Sequence, residues 1–324
     1  MRSVVCRAWG GAETLEIEDV PAPKPGEGEV LIRVRAAAVN FADTLMIQGQ
    51  YQTRPDFPFA PGLEASGEVL ACGPGAARFS PGDRVMAILD YGGFAEQVTA
   101  RESETYAVPE RMDFETAGSF LVAYASSHAA LRWQGRLEAG ETLLVLGAAG
   151  GVGLTATEIG KAMGARVIAA ASSAEKLAVA KQHGADEIVN YRTDDLKERV
   201  LALTGGKGVH VCFDPVGGDL FDGALSSVGW GGRYIVFGFA GGVPNIPANR
   251  LLAKHRSAMG SSLRYFRWYA PEKLRASVEE LVGWYGADKL HPLVSKRYPL
   301  AEFASAMNEL TERRALGRVV VTVD

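Results

Sequence analysis

The residues of this 324-residue chain with the clearest chemical meaning lie between Leu143 and Lys161. An apolar run, Leu143-Leu144-Val145-Leu146, has the character of a buried parallel strand. Gly147, Gly150, Gly151 and Gly153 follow, and Leu154, Ile159 and Met163 then recur at roughly helical spacing, with Glu158 and Lys161 on other faces. Read as Ala148-x-Gly150-x-x-Gly153, the stretch is a variant of the dinucleotide fingerprint with alanine in the first position. The first small residue permits the tight turn, Gly150 admits a pyrophosphate to the backbone, and Gly153 lets the helix pack closely on the strand. Phosphates would then meet unpaired N–H groups at a helix N-terminus, where the dipole also favours negative charge.

The next residues choose between nicotinamide cofactors. An NAD site normally carries Asp or Glu at the end of the second strand, accepting from the ribose hydroxyls. Here the strand Arg166–Ala171 ends in Ser172-Ser173, Lys176 follows in the next helix, and Tyr191 sits just after the third strand. A missing carboxylate beside a cation suits the 2′-phosphate of NADPH. Glu175 lies past the strand end and is free to face solvent.

These residues need elements to position them. From about residue 119 strands and helices alternate: apolar strands at 143–147, 166–171, 188–190, 209–213 and 233–238, with helices at 152–163, 174–183 and 219–228. That pattern predicts an α/β fold, a Rossmann domain with a doubly wound parallel sheet over 119–258. Residues 1–118 read as short strands with Gly/Pro punctuation, a compact β-rich domain. Residues 259–324, with helices at 271–285 and 300–313 and a closing strand from Gly317 to Val323, are expected to return and complete that first domain.

Composition bounds the partners. A net charge of −4 and the lack of a Lys/Arg-rich face argue against general affinity for nucleic acid or anionic membrane. No run reaches the about 18–20 apolar residues of a membrane span. Cys6, Cys72 and Cys212 are widely scattered, a pattern that suits a reducing cytoplasm.

Several motifs together resemble the zinc-free quinone-oxidoreductase branch of the medium-chain dehydrogenase/reductase superfamily. They are Val39-Asn40-Phe41-Ala42-Asp43-Thr44, Pro61-Gly62-Leu63-Glu64-Ala65-Ser66-Gly67, Pro81-Gly82-Asp83-Arg84-Val85, Gly140-Glu141 through Lys161, Asp214-Pro215-Val216-Gly217-Gly218 and Gly317-Arg318-Val319-Val320. Glu158 stands where the family usually has Gln. The resemblance implies a bilobal enzyme with a GroES-like catalytic domain and cofactor held in the cleft between domains. It places Asn40 and Ser126 at the nicotinamide end and Ala149, Gly150, Gly151 and Val152 at the pyrophosphate. It puts Ser172, Lys176 and Tyr191 around the adenosine phosphate, and Val216, Phe237 and Gly238 at the nicotinamide ribose. It also implies a homodimer formed through an edge strand of the cofactor sheet near residues 237–246.

Zinc-bearing relatives carry Cys near the position of Asn40 and His just before the position of Glu64; this chain has Asn40 and Leu63, which cannot replace thiolate and imidazole. The 5 histidines show no ligand spacing. Without zinc to stabilise an alkoxide, hydride transfer should favour an acceptor that spreads negative charge, a quinone or an α,β-unsaturated carbonyl. Some relatives place Tyr where Leu45 stands, so Tyr51 becomes the candidate proton donor or substrate contact, while Asp43 reads as a structural acceptor. Tyr51, Phe57, Tyr91, Phe239, Tyr265, Phe266 and Trp268 are candidate pocket walls. The expected function is NADPH-dependent quinone reduction. The alternatives are an enoyl reductase, whose acyl-CoA phosphates would meet Arg264 or Arg267, and a non-catalytic NADPH- or RNA-binding protein.

Overall fold

The computed structural model describes residues 1–324 as two units, one formed by Met1–Val122 with Pro292–Asp324 and the other by Ala123–His291. In the first unit β1 (Arg2–Val5) pairs antiparallel with β2 (Glu16–Asp19). β3 (Glu29–Ala38) buries Val30, Ile32, Val34 and Ala36 at every second position, the signature of a sheet with one packed face. Helix α1 (Phe41–Ile47) follows, then β4 (Glu64–Cys72), β5 (Arg84–Ile88), β6 (Gln97–Arg101), β7 (Thr105–Ala107) and the short α2 (Phe114–Ala117).

The chain passes into the second unit along a helical run in which α3 (Ser126–His128) is flanked by π-helical turns at Leu121–Ala125 and Ala129–Gln134. The alternating elements then arrive: β8 (Thr142–Leu146), α4 (Gly151–Ala162), β9 (Arg166–Ala171), α5 (Ala174–Gln182), β10 (Glu187–Asn190), α6 (Leu196–Leu203), β11 (Val209–Asp214), α7 (Phe221–Ser227) and β12 (Val228–Val236). After them come α8 (Ala248–Leu252), β13 (Ser257–Gly260), α9 (Leu263–Tyr269) and α10 (Pro271–Gly286). The six strands form one parallel sheet in the order β10-β9-β8-β11-β12-β13. This doubly wound order reverses direction between β8 and β11, the place where such sheets open a crevice at their carboxyl ends.

The chain then returns to the first unit through β14 (Val294–Pro299), α11 (Phe303–Thr311) and β15 (Arg318–Thr322). β15 pairs parallel with β14 and antiparallel with the end of β3, which also pairs with β4 and β6. The return therefore begins at residue 292 and not at 259. Residues 259–291 stay with the second unit because α10 buries Leu274, Ser277, Val278 and Leu281, and Ser277 Oγ accepts from Trp133 Nε1 at 2.9 Å.

Two further expectations change. Glu158 is buried on α4, its carboxylate oxygens within 2.5 Å of the Tyr124 hydroxyl and of His183 Nδ1, so polar partners replace solvent. Residues 237–246 carry no strand, and the sheet ends on β13. Pro244 lacks a ladder donor, and Gly241 and Gly242 weaken extended pairing.

Candidate functional site

The fingerprint folds as a strand, a turn and a helix. α4 begins with Gly150 as its N-cap, at an ordinary φ of −78°, and its first internal hydrogen bond runs from Leu154 N–H to Gly150 O at 2.8 Å. The N–H groups of Gly151, Val152 and Gly153 therefore open the helix without intrahelical acceptors. A Cβ placed on Gly153 would stand 2.2 Å from Gly147 O, so only glycine lets the helix start this close to the turn. At Gly150 the nearest atom to such a Cβ is Gly147 O at 3.5 Å, so the space outside the turn is open. A cradle that a side chain would fill, lined by aligned N–H donors, fits a pyrophosphate.

Backbone bonds gather the other cofactor candidates of this unit at the same sheet edge. Ala148 N–H donates to Ala170 O at 3.1 Å, and Tyr191 N–H donates to Ala171 O at 3.2 Å, so the turn and Tyr191 flank the end of β9. Ser172 comes next, and Ser173 caps α5 by accepting from Lys176 N–H at 3.3 Å. Glu175 points outward, exposed. Ala149 is buried, and Ser126 is buried beside Ser127, whose hydroxyl donates to Val152 O at 3.1 Å on the first turn of α4.

Asp214, at the end of β11, organises the remaining loops. Its Oδ1 accepts from Val216 N–H at 2.7 Å and Gly217 N–H at 2.8 Å, while its Oδ2 accepts from the Tyr234 hydroxyl. Its carbonyl accepts from Phe237 N–H at 2.9 Å and Gly238 N–H at 3.2 Å. Burial first, then the neighbouring Cys212 and Asp214, pushes the Tyr234 hydroxyl far above its ordinary pKa, so it acts as a fixed donor. Val216 is thus held by the carboxylate, and Phe237 and Gly238 by the main-chain carbonyl, of one residue that the sequence shows only as part of a motif.

Among the proposed substrate-facing residues of this unit, Phe239 is 49% and Tyr265 50% exposed, whereas Phe266 is 9% exposed and turned into the core. The seven-residue helix α9 thus turns Tyr265 outward and Phe266 inward. The Arg264 guanidinium lies 4.2 Å from the centre of the Trp268 ring on the same helix.

The first unit holds a second constellation. Asn40 caps α1, and its backbone N–H donates to Asp43 Oδ2 at 2.7 Å; Asp43 Oδ1 accepts from Gly62 N–H at 3.1 Å. Burial pushes the Asp43 carboxyl up to about 7 despite these two donors. Arg318 Nη2 donates to Glu64 Oε1 at 2.6 Å and to Asn40 Oδ1 at 2.8 Å, and its Nε donates to Ser119 O at 3.1 Å. Glu64 Oε1 also accepts from Asn40 Nδ2 at 3.1 Å, and Oε2 accepts from Val122 N–H at 2.9 Å. Burial raises the Glu64 carboxyl, opposed chiefly by the Arg318 charge. Arg318 and Glu64 went unassigned in the sequence because a strand arginine reads as a surface residue, and its partners lie 278 and 254 positions away.

Tyr51 is half-buried against the core of this unit. Tyr91, 45% exposed, touches Phe59 edge-on with ring centres 6.2 Å apart; Phe59 stacks on Phe57, and Phe57 meets Trp9 at 4.4 Å. Nothing in the local sequence around Trp9 signals that contact. As a donor set for zinc, Asn40, the buried Leu63 and a Glu64 already paired with a guanidinium do not suit the metal.

Comparison with known proteins agrees with this geometry. Residues 26–110 match the alcohol dehydrogenase GroES-like domain family and residues 151–282 the zinc-binding dehydrogenase family. The quinone oxidoreductase of Pseudomonas aeruginosa is 37% identical over 97% of this chain and 97% of its own. Mycobacterial Rv1454c, solved with NADPH, is 36% identical over 99% of both chains with a TM-score of 0.93. The NADPH complex of Escherichia coli quinone oxidoreductase is 28% identical, covers 99% of this chain and all of its own, and has a TM-score of 0.93. Fold and site define an oxidoreductase with a Rossmann domain and a GroES-like domain. The chain belongs to the quinone-oxidoreductase branch of the medium-chain dehydrogenase/reductase superfamily.

Proposed function

We propose that the protein is an NADPH-dependent quinone oxidoreductase that works without zinc. The observation that carries this reading is the Asn40–Glu64–Arg318 cluster, because a chain lacking zinc donors there is best matched to an acceptor that stabilises its own negative charge. The names of its relatives support the same reading. Bound NADPH would supply the hydride, and one hydride with one proton converts a quinone to a hydroquinone.

The chain's own groups have distinct tasks. The N–H groups of Gly151, Val152 and Gly153 bind the pyrophosphate. Ser172 and Lys176 favour the 2′-phosphate, since no carboxylate at the end of β9 opposes it. Asp214 fixes the loops bearing Val216, Phe237 and Gly238. In the first unit Tyr51 supplies the proton, Asn40 hydrogen-bonds the reacting end and Tyr91 offers a flat aromatic face; in the second, Phe239 and Tyr265 present exposed aromatic faces of their own.

Oxidation of NADPH and of NADH, followed by the loss of nicotinamide absorbance, tests the reading with benzoquinone, phenanthrenequinone, an enone and crotonyl-CoA. Quinones should turn over fastest, and with NADPH. Lys176→Ala should raise KM for NADPH roughly 10-fold or more, the order of one charge-assisted bond, and leave KM for NADH unchanged. Preference for the enone or the thioester would move the enzyme to enoyl reduction. Tight NADPH binding with no turnover would make it a binding protein.

A further inference from the structure

The hydrogen-bond partners of Asn40 fix which end of its amide can face a ligand. A guanidinium has only donors, so the amide atom 2.8 Å from Arg318 Nη2 must be the oxygen. Glu64 accepts from Arg318 Nη2 through one oxygen and from Val122 N–H through the other, so the amide atom 3.1 Å from it must be the nitrogen. Two neighbours of opposite character therefore demand the same orientation, and neither tolerates the flipped amide. One amide hydrogen is spent on Glu64. The other has only Ala38 O, at 3.4 Å, the long end of hydrogen bonding. A cation on the amide oxygen also polarises the group and strengthens its N–H as a donor.

We propose that Arg318 and Glu64 are positioning residues that lock Asn40 as a hydrogen-bond donor, with its weakly held N–H left for the oxygen on which charge develops in the acceptor. This rests on the quinone-reduction reading for the identity of that oxygen. The lock itself rests on the geometry alone. Asn40 follows β3, Glu64 opens β4 and Arg318 opens β15, so three strands of one sheet meet at this amide.

A mutant cycle between Asn40→Ala and the paired replacement Glu64→Gln/Arg318→Met tests the lock. Asn40→Ala should lower kcat by about 10²-fold, the order seen for loss of one oxyanion donor. Glu64→Gln/Arg318→Met removes both restraints, so that either orientation of the Asn40 amide is open; it should lower kcat by roughly 10-fold with NADPH affinity unchanged. The variant with all three substitutions should be no slower than Asn40→Ala, because Glu64 and Arg318 act through Asn40. Multiplying losses, or full activity in Glu64→Gln/Arg318→Met, would overturn the proposal. If that variant does not fold, Glu64→Met/Arg318→Met replaces the buried pair by apolar groups and is read in the same way.

A second readout needs no turnover. In 1H–15N spectra the Asn40 side-chain NH2, identified by its loss in Asn40→Ala, should give two separate, slowly exchanging resonances that shift and lose protection in Glu64→Gln/Arg318→Met. Unchanged resonances would show that no lock exists. An enzyme inactive with every acceptor would overturn the quinone reading, and these resonances would still decide the lock.

Discussion

Asp43 shows how far a single side chain can shift the energetics of the first unit. Both of its oxygens accept backbone N–H groups, from Asn40 and Gly62, so it ties the start of α1 to the loop before β4. Burial nonetheless disfavours its charge and moves its pKa from an ordinary 3.8 to about 7. Between these values the folded protein holds a proton that the unfolded chain has released. The stabilisation is therefore complete below about pH 4 and is lost as pH rises through about 7. At about 1.4 kcal/mol per unit, the loss is a few kcal/mol. Asp43→Asn should be less stable than the wild type near pH 4.5, since one backbone donor then meets an amide N–H, and that deficit should shrink by a few kcal/mol as pH rises to about 8. Urea unfolding of both proteins at several pH values measures that difference. The carboxylates held low by their ion pairs, Glu18 with Arg7 and Glu96 with Arg2, cancel because both proteins carry them. A deficit constant with pH would mean that Asp43 stays charged in the fold.

At the scale of elements, the turn between β8 and α4 separates two uses of glycine that a motif merges. Gly150 faces open space, whereas a methyl group on Gly153 would meet the Gly147 carbonyl oxygen at 2.2 Å. Gly150→Val should keep the wild-type melting temperature within about 2 °C and lose most NADPH affinity, as judged by cofactor fluorescence. Gly153→Ala should instead destabilise by about 1–3 kcal/mol through overpacking and backbone shift, lowering the melting temperature before any ligand is added. Equal melting curves for the two variants would mean the turn is more pliable than its packing indicates. These elements were legible because the helices and central strands are long and periodic. The start of β12 was not: Gly229, Gly231 and Gly232 read as a turn, yet Val228 already pairs with Val209. The short β13 and α8 carry too few residues to show a period, and the Arg318 cluster depends on contacts that no local window contains.

The whole chain divides where its packing divides. The glycine fingerprint and strand rhythm placed the cofactor sheet correctly, but sequence pattern alone put the return at 259, since α10 is amphipathic and could cover either core. Buried Leu274, Val278 and Leu281, with Ser277 bonded to Trp133, keep it with the second unit. That unit is one continuous stretch, Ala123–His291, containing all six parallel strands and the phosphate cradle. Expressed alone, it should melt cooperatively and bind NADPH. Met1–Val122 should not fold alone, because it lacks β15 beside β3 and leaves Glu64 buried without Arg318, a loss of about 3–5 kcal/mol when one partner of a buried pair is removed. Fusing Pro292–Asp324 to its end through a flexible linker should restore a cooperative transition, and the same fusion with Arg318→Ala should not. Circular dichroism melts of the four fragments decide the matter. A stable Met1–Val122 would show that the early strands close their own sheet and that Arg318 contributes little to holding them.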